Sequence, residues 1–178
     1  MVYKNHLYQY KQYIQKKKFD SDDIHAEYNY EFLVYGKKYL VTIEECKYKV
    51  YIPKFYPASL KNNKNRCNVL TNDYHAAGII RTTINIMLEI LKNNPGASFS
   101  WAGFPVIMKN KKESKLFTQR FRIYKNVMLN FFNQENWYHY EDYRTSTYLL
   151  VNKQRAHIDK YMEKVIKMLI NIYPDLAT

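Results

Sequence analysis

The sequence predicts an α+β fold: an antiparallel β-sheet, made of a three-stranded meander plus one to three further strands, with helices packed on one face. Three observations predict it. Between residues 28 and 52 apolar and polar side chains alternate in successive runs, the two-residue period of half-buried strands. Around residues 80–91, 117–131 and 158–172 apolar side chains recur every three or four positions instead, as on one face of a helix. The strand-like runs are consecutive and separated by short polar turns, which favours antiparallel pairing over long parallel crossovers.

The elements follow in order. Tyr3, Leu7, Tyr10 and Ile14, spaced by four, three and four, predict an amphipathic helix within residues 1–19. Lys16-Lys17-Lys18 and Asp20-Ser21-Asp22-Asp23 end it, leaving residues 20–178 as a single α+β domain. Tyr28, Tyr30, Phe32 and Val34 form the first meander strand, and Gly36-Lys37-Lys38 is its turn. Tyr39 to Ile43 returns, and Glu44-Glu45 turns again. Cys46, Tyr48, Val50 and Ile52 then alternate with Lys47, Lys49 and Tyr51, placing two lysines on a polar strand face. Pro53, Pro57 and the stretch Lys61 to Asn68 predict a loop.

Asn72 or Asp73 caps a helix running to about Asn93, with Ile80, Ile84, Met87, Leu88 and Leu91 on its apolar side and Asn94-Pro95-Gly96 as its stop. Ser98 to Phe104 is a strand carrying Phe99 and Trp101, and Gly103 meets a backbone requirement at its end. A basic loop, Lys109 to Lys115, leads into a helix whose buried stripe is Phe117, Phe121, Tyr124, Met128 and Phe131. Trp137 to Tyr140 and Thr147 to Val151 are strands around a turn at Glu141 to Arg144. The last helix spans Arg155 to Tyr173, with Tyr161, Met162, Val165 and Leu169 among its buried positions.

Composition narrows the function. The 178 residues are 47% apolar, enough for a real core and too many for a disordered chain. No run approaches the roughly eighteen apolar residues of a membrane span, and no apolar leader opens the chain, so the expectation is a cytoplasmic protein of a bacterial host cell with no membrane partner. Two cysteines make no disulfide framework, and the five histidines never fall at metal-ligand spacing. Neither a phosphate-binding glycine loop nor a nucleophile elbow occurs. No cofactor and no metal are therefore expected.

The net charge of +12 is not spread evenly. Residues 1–36 and 126–178 are each neutral, whereas residues 37–67 carry +6 and residues 81–125 carry +7. Lys, Asn, Tyr and Ile all have A/T-rich codons, but a codon bias would act along the whole chain. The confinement therefore points to a polyanion. Lys47, Lys49, Lys109, Lys111, Lys112, Arg120 and Lys125 are the candidate phosphate contacts, with Tyr48 and Tyr51 as candidate stacking partners for bases and Tyr56 and Tyr124 interleaved nearby. Arg122 lies about 200° around the helix from Arg120 and so faces elsewhere. RNA uses such aromatics better than duplex DNA does, and an acidic protein surface is the other anion that fits.

Two catalytic patterns stand beside this reading. Glu45-Cys46-Lys47 has the E-x-K spacing by which metal-dependent nucleases pair a carboxylate with a lysine, and Glu27 or Glu31 is its available second acid. His139, Glu141 and Arg144 could instead build a metal-independent, toxin-like ribonuclease, with the histidine as base, the carboxylate orienting it and the arginine stabilising phosphate. Cys67, in a basic loop, is a candidate for a lowered thiol pKa.

A β-meander, a helix ending in Asn94-Pro95, a strand closing on Gly103 and then Arg120-Phe121-Arg122-Ile123-Tyr124 follow one another over about residues 28–151. This succession resembles small uncharacterised proteins of Bacteroidota genomes and their mobile elements, a group that lends no activity. The A/T-rich composition agrees with such a source or its phages. The expected function is a non-enzymatic basic protein that binds RNA or a ribonucleoprotein, such as a phage or prophage inhibitor of a bacterial defence nuclease of the CRISPR type.

Overall fold

The computed structural model describes residues 7–13, 19, 21–68, 75–108 and 111–174. Nine strands and three helices follow one another among them: β1 (Tyr10–Tyr13), β2 (Ile24–Val34), β3 (Lys37–Cys46), β4 (Val50–Pro57), α1 (Ala76–Asn93), β5 (Ser98–Ala102), β6 (Ile107–Met108), β7 (Lys111–Lys112), α2 (Gln119–Phe131), β8 (Trp137–Asp142), β9 (Thr147–Asn152) and α3 (Ile158–Ile172). Seven strands form one sheet in the order β1-β2-β3-β4-β5-β9-β8, and β6 and β7 form a separate small hairpin. The fold class is α+β, but the sheet is mixed. β4 and β5 pair in parallel through Val50–Ser98 and Tyr51–Phe99, and α1 makes the crossover between them.

The meander is present with shifted boundaries. Tyr35 (φ 47°) and Gly36 (φ 81°) alone connect β2 to β3, and two consecutive positive φ values match the twist of a tight hairpin. Glu44 and Glu45 are not a turn: they pair with Ile52 and Tyr51 inside the sheet. The chain reverses instead at Lys47–Lys49, a short 3₁₀ turn where Tyr48 and Lys49 both take left-handed backbone. Lys47 and Lys49 are therefore turn residues rather than one face of a strand. Pro53 and Pro57 lie within β4 and not in a loop. Beyond Tyr51 that strand has no pairing with β5, so on this side it behaves as an edge and tolerates residues without an N–H.

The N-terminal helix expected over residues 1–19 is overturned where the chain is described. Tyr10 to Tyr13 is a strand pairing antiparallel with Phe32 to Asn29, while residues 1–6 and 14–18 lie outside the described residues. The four-residue spacing that suggested a helix is outweighed by an open sheet edge and by tyrosines, which suit a pleated surface.

Helices cover both faces of the sheet, which corrects the one-sided expectation. On one face Tyr30, Phe32, Val41, Tyr51, Phe99, Tyr148 and Leu150 pack with Ile80, Ile84 and Met87 of α1 and Phe121 and Met128 of α2. On the other, Cys46, Val50, Ile52, Leu149 and Val151 pack with Tyr161, Val165 and Leu169 of α3. Strict alternation divides each strand between the two layers, so β9 is buried along its whole length. The end of α3 is anchored by charge: the Tyr173 hydroxyl donates to Glu44, which also takes Lys54 Nζ at 2.6 Å. In α2 the buried stripe is Phe121, Tyr124 and Met128, while Phe131 is exposed. The helix stops there, and extended backbone at Phe132 turns that ring onto Phe99 and Trp137 instead.

Candidate nucleic-acid interface

Strand direction decides where the charge goes. β4 and β5 run together and β9 runs against them, so the segments after Pro57, after Ala102 and before Thr147 meet at one end of the sheet, here the apex. The turn Lys47–Lys49, Gly96 and Arg155 meet at the other end, the base. Eight residues of β4 separate the ends by about 23 Å at roughly 3.3 Å per residue. Lys47 and Lys49 therefore do not join Arg120 and the Lys111–Lys112 strand in one surface, contrary to the expectation from sequence.

At the base, Lys47 pairs with Asp23 at 2.8 Å, and that hydrogen bond raises its pKa. Lys49 and Tyr48 are exposed. Tyr51 is not a stacking platform. It is 3% exposed, its hydroxyl donates to Glu45 Oε1 at 3.0 Å, and Asn94 donates to the same hydroxyl at 2.7 Å. Burial, and then the Glu45 contact, push its pKa well up. Tyr56 and Tyr124 are buried as well. Glu45 also accepts from Tyr28 at 2.7 Å. It points to the face covered by α1 and α2, whereas Glu27 and Glu31 point to the opposite face by the two-residue period, so the E-x-K site does not assemble.

The apex is built on buried hydrogen bonds. Thr118 caps α2: its hydroxyl accepts from Phe121 N at 3.2 Å and donates to Gly103 O at 2.7 Å. Thr118 N donates to Ser146 Oγ at 3.0 Å, and Ser146 Oγ donates to Lys115 O at 2.7 Å. Gly103 in turn donates to Ser146 O. Glu113 spends both carboxylate oxygens on main-chain N–H groups, of Val106 and Gln119. On the other side, Asn68 bonds Pro105 and Ile107, tying the loop after β4 to the small hairpin. These contacts bring three basic segments to one end: Lys61, Lys64 and Arg66; Lys111, Lys112 and Lys115; and Arg144. Arg120 and Arg122 stand in the first turn of α2 beside them. Lys109 lies outside the described residues. Lys125, further along α2, is held by Glu141 at 2.7 Å and by the Tyr143 hydroxyl at 2.9 Å.

Phe117, expected in the buried stripe, is 42% exposed and sits beside Tyr143, which is 46% exposed. Sequence reasoning missed Tyr143 and misplaced Phe117. The signal was Thr118: a helix capped there leaves residue 117 outside its periodicity.

Of the candidate ribonuclease residues, two are neighbours and interact electrostatically. His139 and Glu141 share a face of β8, but His139 Nδ1 bonds the Tyr148 hydroxyl and its Nε2 is buried without a partner. Burial holds its pKa below the usual imidazole value. Burial alone would raise the Glu141 carboxyl, yet hydrogen bonds from Lys125 and Tyr143 outweigh it and hold the pKa low. The Arg144 side chain is 90% exposed and beside Asp142. Cys67 is the reverse of activated: burial raises its thiol pKa despite Lys54, Arg66 and Arg120 nearby. Among the described residues no three His, Cys, Asp or Glu side chains gather as a metal site, and no helix is long and apolar enough to cross a membrane.

The fold and this surface define a three-layer α+β protein with a basic, aromatic-bearing sheet end. No family model matches the chain, and no curated protein or solved structure is significantly similar to it.

Proposed function

We propose that this protein binds RNA, alone or within a ribonucleoprotein, through the apex of its sheet and without catalysing a reaction. The observation that supports this is the convergence of the loop after β4, the Lys111–Thr118 segment and the β8–β9 turn on one end, each bringing lysine or arginine. Local acids are largely engaged there: Glu113 caps amides and Glu141 holds Lys125. Such a surface gains affinity by releasing counterions from phosphates. In a phage or prophage protein, this binding would act by occupancy of the guide-RNA backbone of a defence effector.

The test is a salt titration of RNA binding by the wild type and by a Lys61→Glu, Lys64→Glu, Arg144→Glu variant, all exposed positions. The wild type binds with an affinity that falls steeply with salt. The variant binds more weakly, with a slope shallower by about one for each phosphate it no longer neutralises. Equal binding and equal slope for the two proteins would refute the proposal.

A further inference from the structure

Phe117 and Tyr143 form an exposed aromatic pair. Their ring centroids are 5.3 Å apart, and the buried ring of Phe121 lies beneath both, at 5.8 and 5.5 Å. Phe117 takes left-handed backbone (φ 51°), a conformation that a bulky L-residue keeps only when its surroundings hold it there. They do: Phe117 N donates to Tyr143 O at 3.1 Å, and Ser146 Oγ staples the neighbouring Lys115 and Thr118. The Arg122 guanidinium lies 5.6 Å from the Phe117 ring, and Lys125 Nζ, paired with Glu141, lies 5.3 Å from that of Tyr143, whose hydroxyl donates to the same carboxylate.

A pair of rings fixed in position, half exposed to solvent and bordered by a guanidinium suits one ligand chemistry: an unpaired nucleobase with its phosphate. The bases of a duplex are already stacked and offer no free π-face. We infer that Phe117 and Tyr143 are a stacking platform for an unpaired base of single-stranded RNA, with Arg122 beside the adjoining phosphate. This rests on the RNA-binding reading and deepens it.

The test uses a short mixed-sequence single-stranded RNA and a duplex of the same length. Tyr143→Leu and Phe117→Leu each weaken single-strand binding by roughly 5- to 100-fold while leaving the salt slope unchanged, because no charge is removed. Duplex binding changes little. Tyr143→Phe, which keeps the ring, binds as the wild type does. Tyr143→Trp retains binding, and single-stranded RNA quenches the introduced indole; both native tryptophans, Trp101 and Trp137, are buried and report little. If both Leu variants keep their thermal transitions and bind single strands as tightly as the wild type, the platform is overturned and the charge-based reading stands. A wild type without salt-dependent RNA binding overturns both.

Discussion

Arg155 and Tyr48, 107 positions apart, are joined by a hydrogen bond of 2.6 Å from the guanidinium to the Tyr48 carbonyl oxygen. The same nitrogen donates to Gly96 O at 2.6 Å, and the guanidinium stacks 4.2 Å from the Tyr161 ring, whose hydroxyl also reaches Tyr48 O. One side chain thus ties the strained Lys47–Lys49 turn, the start of β5 and the first turns of α3. Arg155→Ala should lower stability by roughly 2–3 kcal/mol, since two carbonyls are left without a charged donor. Arg155→Lys should recover less than half of it, because an ammonium lacks the planar fork. Urea unfolding midpoints check both.

Gly103 is required by a close approach. A Cβ there would lie 2.6 Å from Thr118 Oγ1, 2.8 Å from Phe121 Cβ and 2.9 Å from Phe121 N. Because one of these atoms is helix backbone, α2 itself must shift. Gly103→Ala is expected to cost about 1–3 kcal/mol, and Thr118→Ala about 1–2 kcal/mol through removal of the cap. The two costs should not add, since both substitutions disturb the same packing. A double-mutant cycle measures this.

Glu44 and Lys54 form an ion pair with side chains only 7% and 15% exposed. Glu44→Ala leaves the lysine without its carboxylate and should destabilise by about 3–5 kcal/mol. Replacing both partners by apolar residues should cost less than Glu44→Ala alone. Thermal melts of the single and double variants decide it.

Stability should fall on acidification in two windows. His139 resists protonation in the folded state, so its unfolded form takes up protons first; stability is present above pH 6.5 and declines as pH drops below it. The Glu141 carboxyl is held below 4.5, so its contribution is intact above that value and is lost as pH falls through its lower folded pKa. His139→Gln should flatten the first window and leave the second. Urea midpoints measured across pH 3 to 8 separate them.

The two ends of the sheet should respond differently to charge. Lys49→Glu, at the base, is expected to change RNA affinity less than twofold. Arg122→Glu, at the apex, should weaken it roughly tenfold, with a shallower salt dependence. Fluorescence anisotropy over a salt series distinguishes them.

Much of the secondary structure was legible. The alternation from Tyr28 to Val34 and the helical spacing from Ile158 to Ile172 are β2 and α3 as observed. Boundaries failed where one pattern served two structures. Cys46, Val50 and Ile52 alternate whether the reversal falls at Glu44-Glu45 or at Lys47–Lys49, and only the pairing of Cys46 with Val50 distinguishes them. Of the candidate site, the basic stretch around Lys111 and Arg120 was legible. Tyr51 was not, because a tyrosine two residues beyond Lys49 reads alike whether its ring meets water or Phe99.

Residue order alone carried the α+β class, the approximate helices and strands, and the confinement of charge to residues 37–125, because these are properties of neighbouring residues. Side-chain period follows from local backbone angles, and charge is a count. It could not carry the parallel pairing of β4 with β5, the placing of α3 opposite α1 and α2, or the separation of Lys49 from Arg120. Those depend on which apolar surfaces, tens of residues apart, bury one another. A strand's direction within the sheet, and hence the end at which its lysines emerge, is settled only when those surfaces meet.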